Sequence, residues 1–362
     1  MLMRTKNFLI SLCVIVTISL GFIIFGQHKP ETIQNIVMST NEQIKSFKDN
    51  LRDVESKTLV ADEKFLDILG FTQNPRIYPR DVWTNTSLPV VVTYVFRGQE
   101  SQAIGLIYNV AKILPSNTIL VYNLGLTDYG LKTLFNYCNS TRCQVTTLDL
   151  YEFPSHVFSE DPHAYRPLVI QDALSRTGAT LFIENSYRFL HNVSRTVLNN
   201  LYERRALKEG ILAFPHKTKR PVTSFTHKKM FEYFRTDAEN FWFLQMVKAE
   251  VLFVVNFKEI HESVMLPWIQ CSLTQDCIFP IGAQSTGCKF DKKPLYRYSG
   301  CHSYDASALN IVLGLHYKYA GSAYMVTDQA VYFREVPLHK ADAMLKELEQ
   351  NATIDGQLQL DS

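Results

Sequence analysis

The sequence predicts an α/β fold whose mostly parallel sheet is flanked by helices and preceded by one transmembrane helix and a stem. Apolar, β-branched runs alternate with helix-patterned segments between residues 88 and 335, which is typical of doubly wound sheets. An uncharged apolar stretch near the N-terminus predicts the membrane helix. Hydrophobic residues make up 46% of the chain, while 37 Lys and Arg balance 35 Asp and Glu. This balance gives no electrostatic case for nucleic-acid binding, which needs clustered excess positive charge.

The predicted membrane segment covers residues 7–26 and reads NFLISLCVIVTISLGFIIFG, without a charged residue. A helix rises about 1.5 Å per residue, so this stretch is long enough for a hydrocarbon core of about 30 Å. Arg4 and Lys6 precede it, and positive charge on that side predicts that residues 1–6 stay in the cytoplasm. The alternative is a cleaved signal peptide, which has a shorter apolar region and a small-residue cleavage site. We therefore expect a type II membrane protein.

Three further regions follow the membrane segment. Residues 27–87 are polar and charged and predict a stem. Within it, Ile44, Phe47, Leu51 and Val54 repeat at spacings that suit either a short coiled coil or an amphipathic helix lying on the globular domain. The globular domain is predicted at 88–335, and a charged helix with a polar tail at 336–362.

The elements of the globular domain are predicted from their apolar patterns. Continuous apolar runs, which suit strands buried on both faces, occur at 90–96, 118–124, 144–150, 179–183 and 251–256. Helical spacing of apolar residues predicts helices at 101–114, 129–138, 166–176, 196–208, 238–250 and 304–319. Residues 271–299 are rich in turn-forming residues.

Cysteine usage and glycosylation triplets agree with an oxidising compartment. One cysteine, Cys13, lies in the membrane segment, and six follow it: Cys138, Cys143, Cys271, Cys277, Cys288 and Cys301. An even number predicts three disulfides; nearness in sequence favours 138–143 and 271–277, which leaves 288–301, and other pairings stay open. A zinc site using the later cysteines and His302 is the alternative, although no C-x-x-C pair is present. Predicted glycosylation sites are Asn85, Asn139, Asn192 and Asn351.

Candidate site residues are those that follow the predicted strands, because ligands of open parallel sheets bind beyond the carboxyl ends of the strands. These residues are Thr93, Tyr94 and Arg97 after the first strand, Asn123 and Gly125 after the second, and Glu184, Ser186 and Arg188 after the fourth. Glu184 follows the run ATLFI directly, which places a carboxylate at a semi-buried strand end. Taken singly, Thr93, Asn123 and Ser186 are better explained as loop residues or helix caps.

A second acidic candidate, Asp305, begins the helix predicted at 304–319. It is either a general base or acceptor ligand, or an acidic residue that suits the helix dipole with Ser303 as the cap. His227 and His302 are further candidates for substrate contact, and the basic run 216–220 is either a solvated loop or a phosphate-facing one.

Several segments, taken in order, resemble nucleotide-sugar glycosyltransferases of the GT-A type. They are VVTYVFRGQ (91–99), VYNLGLT (121–127), 165–167 through FIENSYRF (182–189), TSFTH (223–227), PWIQC (267–271) and YSGCHSYDASALNIVL (298–313). They are more closely similar to a nematode-rich animal family of type II membrane proteins with that fold. The resemblance covers residues 88–335.

The resemblance implies a nucleoside-diphosphate-sugar donor and a glycoconjugate acceptor, with Glu184 and Asp305 as catalytic residues. It implies donor contacts from Thr93, Tyr94, Arg97, Asn123, Ser186 and Arg188. The Asp-x-Asp motif that usually holds Mn²⁺ or Mg²⁺ is absent from the chain, and Glu184-Asn185-Ser186 stands in its place. A divalent cation would therefore rest on Glu184 with few other ligands, while Arg97, Arg166 and Arg188 are candidates for phosphate contacts.

We expect a glycosyltransferase of the secretory pathway, in the Golgi or at the plasma membrane. The first alternative, favoured by the missing Asp-x-Asp, is a catalytically inactive GT-A-like protein that binds or assembles with other lumenal molecules. The second is a Rossmann-type methyltransferase, which would need a glycine-rich loop after the first strand, where only Gly98 occurs.

Overall fold

The structure is a computed structural model that describes residues 16–17, 57–72, 77, 88–216, 219–326 and 331–360, the last ten of these by backbone alone. The chain divides into two compact units, Met1–Lys57 and Thr58–Ser362, and the description below concerns the second. Among the described residues, no helix is both long enough and apolar enough to span a bilayer. The segment 7–26 apart from residues 16–17, residues 27–56 of the predicted stem, and Asn85 lie outside the described residues.

The strands of the described part, in chain order, are β1 (Val90–Val95), β2 (Ile119–Asn123), β3 (Cys143–Thr147), β4 (Ala179–Ile183), β5 (Tyr187–Phe189), β6 (Ile211–Pro215), β7 (Val247–Val255) and β8 (Phe333–Glu335). Six of these form the central sheet in the order β3-β2-β1-β4-β7-β6, and β5 pairs with β8. Strands β1 to β4 are mutually parallel, whereas β7 runs antiparallel to both β4 and β6. The mostly parallel sheet flanked by helices is thus confirmed, with one reversed strand inside it.

The α-helices of the described part are α1 (Glu63–Ile68), α2 (Glu100–Ile113), α3 (Asp128–Tyr137), α4 (Tyr165–Thr177), α5 (Arg195–Leu201), α6 (Leu207–Glu209), α7 (Val222–Phe225), α8 (Lys228–Tyr233), α9 (Lys258–Ile260), α10 (Leu266–Leu273), α11 (Gln275–Ile278), α12 (Tyr304–His316), α13 (Gly321–Tyr324) and α14 (Leu338–Leu360). Helix α4 ends at Gly178, whose φ of 77° is a left-handed conformation that glycine adopts without strain. Strand β4 follows this glycine directly, so the turn at Gly178 sets where β4 begins.

The helix predicted at 238–250 is wrong. A single 3₁₀ turn covers Ala238–Phe241, and strand β7 begins at Val247. The segment is rich in Ala, Glu, Leu, Gln, Met and Lys, all good helix formers. Pairing with β4 on one side and β6 on the other overrides that local preference.

Part of the region predicted as stem packs within the second unit. Helix α1 lies in this part, and Leu69, just after it, is fully buried. The backbone oxygen of Leu69 accepts a hydrogen bond of 3.1 Å from Gln171 in α4. Phe71 stacks on His261 with ring centroids 4.4 Å apart. The segment from α1 to Phe71 therefore packs against α4 and His261.

Three disulfides join the cysteine pairs that nearness in the sequence favours: Cys138–Cys143, Cys271–Cys277 and Cys288–Cys301. The first links the end of α3 to β3, the second links α10 to α11, and the third closes the loop before α12. All six cysteines after residue 57 are thus used, which leaves no thiol for the alternative zinc site. Asn139 and Asn192 are exposed.

Candidate functional site

A cavity of 480 Å³ opens at the edge of the sheet where β4 ends and β7 begins. Ile183, the last residue of β4, pairs with Val251 of the antiparallel β7. The start of β7 therefore lies at the same edge as the end of β4. The charged residues that line the cavity are Asp161, Arg166, Glu184, Lys248, Glu250, Asp305 and Glu335. Ligands of open sheets bind at such an edge.

A buried arginine joins the two acidic candidates of the sequence. Arg166, in the first turn of α4, donates a hydrogen bond of 2.8 Å from its guanidinium to Glu184 Oε2. Its other terminal nitrogen donates to Asp305 Oδ2. The side chains of Arg166 and Asp305 are only 3% and 2% exposed, and that of Glu184 is 17% exposed. We call Glu184, Arg166 and Asp305 the ion triad.

Burial changes the acidity of both carboxyl groups. The pKa of Asp305 is raised to about 7, mainly because burial disfavours the charged form, while attraction to Arg166 opposes the rise. Burial also raises the pKa of Glu184, again against the attraction of Arg166. Carboxyl groups whose pKa is moved towards neutrality are suited to proton transfer.

Helix α12 is held so that Asp305 faces Arg166. Tyr304, the first residue of the helix, has a φ of 42°, a left-handed conformation uncommon outside glycine. The backbone oxygen of Asp305 accepts a hydrogen bond of 2.9 Å from the Trp268 indole. One turn further on, Asn310 accepts from the Val247 amide and donates to the Val247 carbonyl, both at 2.8 Å. This amide pair fixes α12 against the first residue of β7.

Strand β7 brings two further charged residues that were not among the sequence candidates. Lys248 Nζ lies 3.3 Å from Glu250 Oε1 and donates a hydrogen bond of 2.8 Å to the Tyr187 hydroxyl. The other carboxylate oxygen of Glu250 is buried and has no partner among the described residues. The alternation of buried Val247, Ala249 and Val251 with these two half-buried residues is the strand signal that could have found them.

The six predicted donor-contact residues do not line this cavity. Thr93 and Tyr94 are buried in the sheet and Arg97 is exposed. The remaining three are Asn123, Ser186 and Arg188.

Asn123 caps the turn after β2 by accepting from the amides of Gly125 and Leu126 at 3.0 and 2.8 Å. The Ser186 carbonyl accepts from the Val336 amide at 2.7 Å. Arg188 donates to three backbone carbonyls, including that of Gln102 at 2.7 Å. These contacts give the three residues structural roles.

The two histidines predicted to contact substrate, His227 and His302, are hydrogen-bonded to each other beside the cavity. His302 lines it, and its Nδ1 accepts a hydrogen bond of 3.1 Å from the His227 amide. Burial lowers the pKa of His302 to about 3, and His227 adds to the effect. His302 is therefore neutral at physiological pH, and it forms part of the cavity wall as a hydrogen-bonding group.

The residues present do not fit a divalent cation of the Asp-x-Asp type. Among the described residues, no group of three or more His, Cys, Asp or Glu side chains is placed to hold a metal ion. One oxygen of Glu184 is already engaged by Arg166. The guanidinium thus supplies positive charge at the end of β4.

No protein-family model matches the chain, and no curated protein matches it in sequence. Among solved structures, it is similar to the mannosyltransferase Ktr4p from S. cerevisiae in complex with GDP, with 9% identity, a TM-score of 0.43, and coverage of 80% of this chain and 86% of that one. It is also similar to mouse xyloside xylosyltransferase 1, with 8% identity, a TM-score of 0.39 and coverage of 66% and 84%.

A third similar structure is the bifunctional glycosyltransferase WbbM, with 13% identity and a TM-score of 0.38. The match covers 56% of this chain but only 38% of WbbM. The solved structures described here as similar to this chain are glycosyltransferases.

Proposed function

We propose that this chain is a glycosyltransferase that moves a sugar from a nucleoside-diphosphate donor to the hydroxyl group of a glycoconjugate. The observation that carries the proposal is the ion triad. Two carboxyl groups of raised pKa converge on one guanidinium at the carboxyl end of a parallel strand, inside a cavity of 480 Å³. In glycosyl transfer, such a group can act as the general base that accepts a proton from the attacking hydroxyl.

The exposed fractions divide the roles within the triad. Glu184 is the more exposed of the two carboxylates, so it accepts the acceptor's proton as the bond from the acceptor oxygen to the anomeric carbon forms. The bond from that carbon to the donor phosphate breaks, and its electron pair leaves with the diphosphate. Asp305, almost fully buried, holds Arg166 in place, and Arg166 in turn orients Glu184. Lys248 supplies a second positive charge on the β7 side.

The cellular setting is proposed from the sequence. The uncharged segment 7–26 with Arg4 and Lys6 before it supports a type II membrane anchor. The anchor supports a site in the secretory pathway, with the Golgi as the compartment. The similar segments, which follow one another in the same order between residues 88 and 335, support membership in the nematode-rich animal family.

One observation favours a second candidate, an inactive lumenal binding protein of this fold. Five acidic side chains line the cavity against Arg166 and Lys248, and Arg166 is already paired with two of them. Negative charge around the cavity opposes the binding of a diphosphate. Both candidate functions require a folded domain that binds a ligand, so a measurement of catalytic turnover distinguishes them.

The test measures binding and turnover together. Purified full-length protein is titrated with UDP and GDP, with and without Mn²⁺, by calorimetry, and slow hydrolysis of UDP- and GDP-sugars is followed by release of the free nucleotide. We expect one nucleotide to bind and its sugar to be hydrolysed, and Glu184→Gln to lose hydrolysis while circular dichroism and a cooperative melting transition show that it stays folded. Glu152→Gln, an exposed carboxylate away from the cavity, is the matched control.

The outcomes are distinct. Nucleotide binding without turnover of any donor supports the inactive binding protein. If neither nucleotide binds, the transferase proposal is overturned. Hydrolysis that persists in a folded Glu184→Gln protein places the acid–base group elsewhere.

A further inference from the structure

A second cleft, of 280 Å³, has a lining unlike that of the larger cavity. Its wall comes from the chain between α7 and α8, from the segment after Phe241, and from the loop that the Cys288–Cys301 disulfide closes. Aromatic, hydroxyl and basic side chains dominate it, and no acidic residue is among the described residues that line it. Nothing in the proposed transfer chemistry uses this cleft.

Stacked aromatic rings form one side of the cleft. The rings of Trp242 and Tyr296 lie with centroids 4.5 Å apart and planes 18° from parallel, and both residues are partly exposed. Partly exposed tryptophan and tyrosine combine an apolar ring with a polar edge. Such a surface suits a ligand that has both apolar C–H faces and polar substituents, as a pyranose ring has.

Two hydroxyl groups of the lining lack partners. Thr226 Oγ1 and Tyr298 OH are both buried and form no hydrogen bond with the described residues, and Thr226 as a whole is only 2% exposed. Unsatisfied buried polar groups are uncommon and costly. A threonine hydroxyl reaches a new partner by rotation about a single side-chain bond, so a hydroxyl group of a ligand in the cleft would satisfy Thr226.

The charge of the cleft selects among such ligands. Lys228 and Arg297 line it and are exposed, and neither forms an ion pair with another described residue. The larger cavity, in contrast, is predominantly acidic. A guanidinium beside an aromatic surface is suited to a carboxylate, which it binds through two parallel hydrogen bonds. The cleft therefore favours a sugar that carries an acidic group.

The two cavities share a wall. The Tyr298 ring lies 5.6 Å from the ring of His227, and the His227 amide donates to His302, which lines the larger cavity. Cys288 and Cys301 also line the larger cavity, while the loop between them carries Tyr296 and Tyr298. A glycan seated in the cleft thus lies beside the wall of the larger cavity.

We propose that this cleft binds an acidic sugar residue, such as a uronic acid, of the acceptor glycan. The sugar packs on Trp242 and Tyr296, its hydroxyl groups bond Thr226 and Tyr298, and its carboxylate pairs with Arg297. The acceptor role rests on the proposed transferase function, whereas acidic-sugar binding stands without it.

The test uses two probes that differ only at carbon 6, methyl β-D-glucuronide and methyl β-D-glucoside, with a methyl sialoside as a second acidic probe. Binding to the full-length protein without nucleotide is measured by saturation-transfer NMR. We expect at least one acidic probe to bind, with glucuronide at least about tenfold tighter than glucoside because of the charge-assisted contact. Arg297→Gln removes that preference, and Thr226→Val weakens binding by about tenfold through the lost hydrogen bond.

Control measurements separate binding from folding. Thr226→Val removes a hydroxyl that has no partner, so its melting temperature is expected to stay equal to that of the wild type or rise. Tyr129→Ala, at an exposed tyrosine outside the cleft, should bind like the wild type. The proposal is overturned if neither acidic probe binds, if glucoside binds as tightly as glucuronide, or if Thr226→Val binds like the wild type. If the protein binds glucuronide but no nucleotide, the proposal of an acidic-sugar site is supported and only the proposed transferase function is contradicted.

Discussion

Replacement of Arg166 by methionine is expected to destabilise the fold strongly, because it removes the shared partner of two buried carboxyl groups. Arg166 and Asp305 are 3% and 2% exposed, and Glu184 is 17% exposed. Removal of one partner of a buried ion pair costs about 3–5 kcal/mol. For a unit of this size, each kcal/mol lowers the melting temperature by about 2 °C. We therefore expect a decrease of about 6–10 °C at pH 7.5.

Helix α4 supplies a matched control. Arg176 lies in the same helix and pairs with Asp172 at 2.6 Å, but its side chain is 52% exposed. An exposed pair contributes about 0–1 kcal/mol, so Arg176→Met should lower the melting temperature by no more than about 2 °C. Both variants and the wild type are compared by differential scanning calorimetry.

Acidification adds a second readout. Without Arg166, the two carboxyl groups favour their neutral forms still more strongly, so the deficit of Arg166→Met should shrink as the pH falls towards 5. If the variant melts within about 2 °C of the wild type at pH 7.5, or if the deficit does not depend on pH, the ion triad contributes little and the argument from burial is refuted.

Three further predictions concern the same region. Burial raises the pKa of Asp305 to about 7 from its usual 3.8, so the contribution of this group to stability is complete below about pH 4 and is lost as the pH rises through about 7. In urea denaturation, the free energy of unfolding of Asp305→Asn should therefore depend less on pH than that of the wild type. An equal pH dependence of the two proteins would contradict this. Asn310→Leu leaves the amide and carbonyl of Val247 without their side-chain partner and should cost at least about 1–3 kcal/mol, measured by urea denaturation, with equal stability as the refuting result. Gly314→Ala should lose about 1–3 kcal/mol by overpacking, since its new methyl group would overlap the Phe241 ring; an unchanged denaturation midpoint would show that this contact relaxes freely.

Three strands of the sheet, β1, β2 and β4, were predictable from sequence because they are buried on both faces. The runs at Val90–Val95, Ile119–Asn123 and Ala179–Ile183 are continuous and apolar, and the segments beside them carry apolar residues at helical spacing. In the second half of the sheet, the apolar run at 251–256 predicted the end of β7, but the start of β7 fell within the predicted helix 238–250, because this part takes its strand conformation from pairing with its neighbours. Strand β6 was not predicted. Strands β5 and β8 have three residues each, which is too short for a period to be recognised.

For the site, the sequence indicated the two carboxylates, Glu184 and Asp305, but not that Arg166 joins them. Glu184 stood out as a carboxylate after a buried strand, and Asp305 as an acidic residue at a helix start. Arg166 appeared only as one of several arginines for phosphate, because burial and the presence of two carboxylate partners are properties of the folded chain. Lys248 and Glu250 were hidden by the wrong helix, so the acidic character of the cavity followed only from the position of β7.

The ion triad joins residues that are far apart in the chain, with Arg166 and Asp305 separated by 139 positions. During synthesis, Arg166 and Glu184 leave the ribosome well before Asp305, and contacts of such long range form late because closing the intervening loop is entropically costly. A nascent chain can assemble β1, β2 and β3 from neighbouring segments while this arginine still lacks its second carboxylate. Completion of the triad is thus tied to the arrival of the C-terminal third, and until α12 has formed, Glu184 is the only carboxylate of the triad that is available to Arg166.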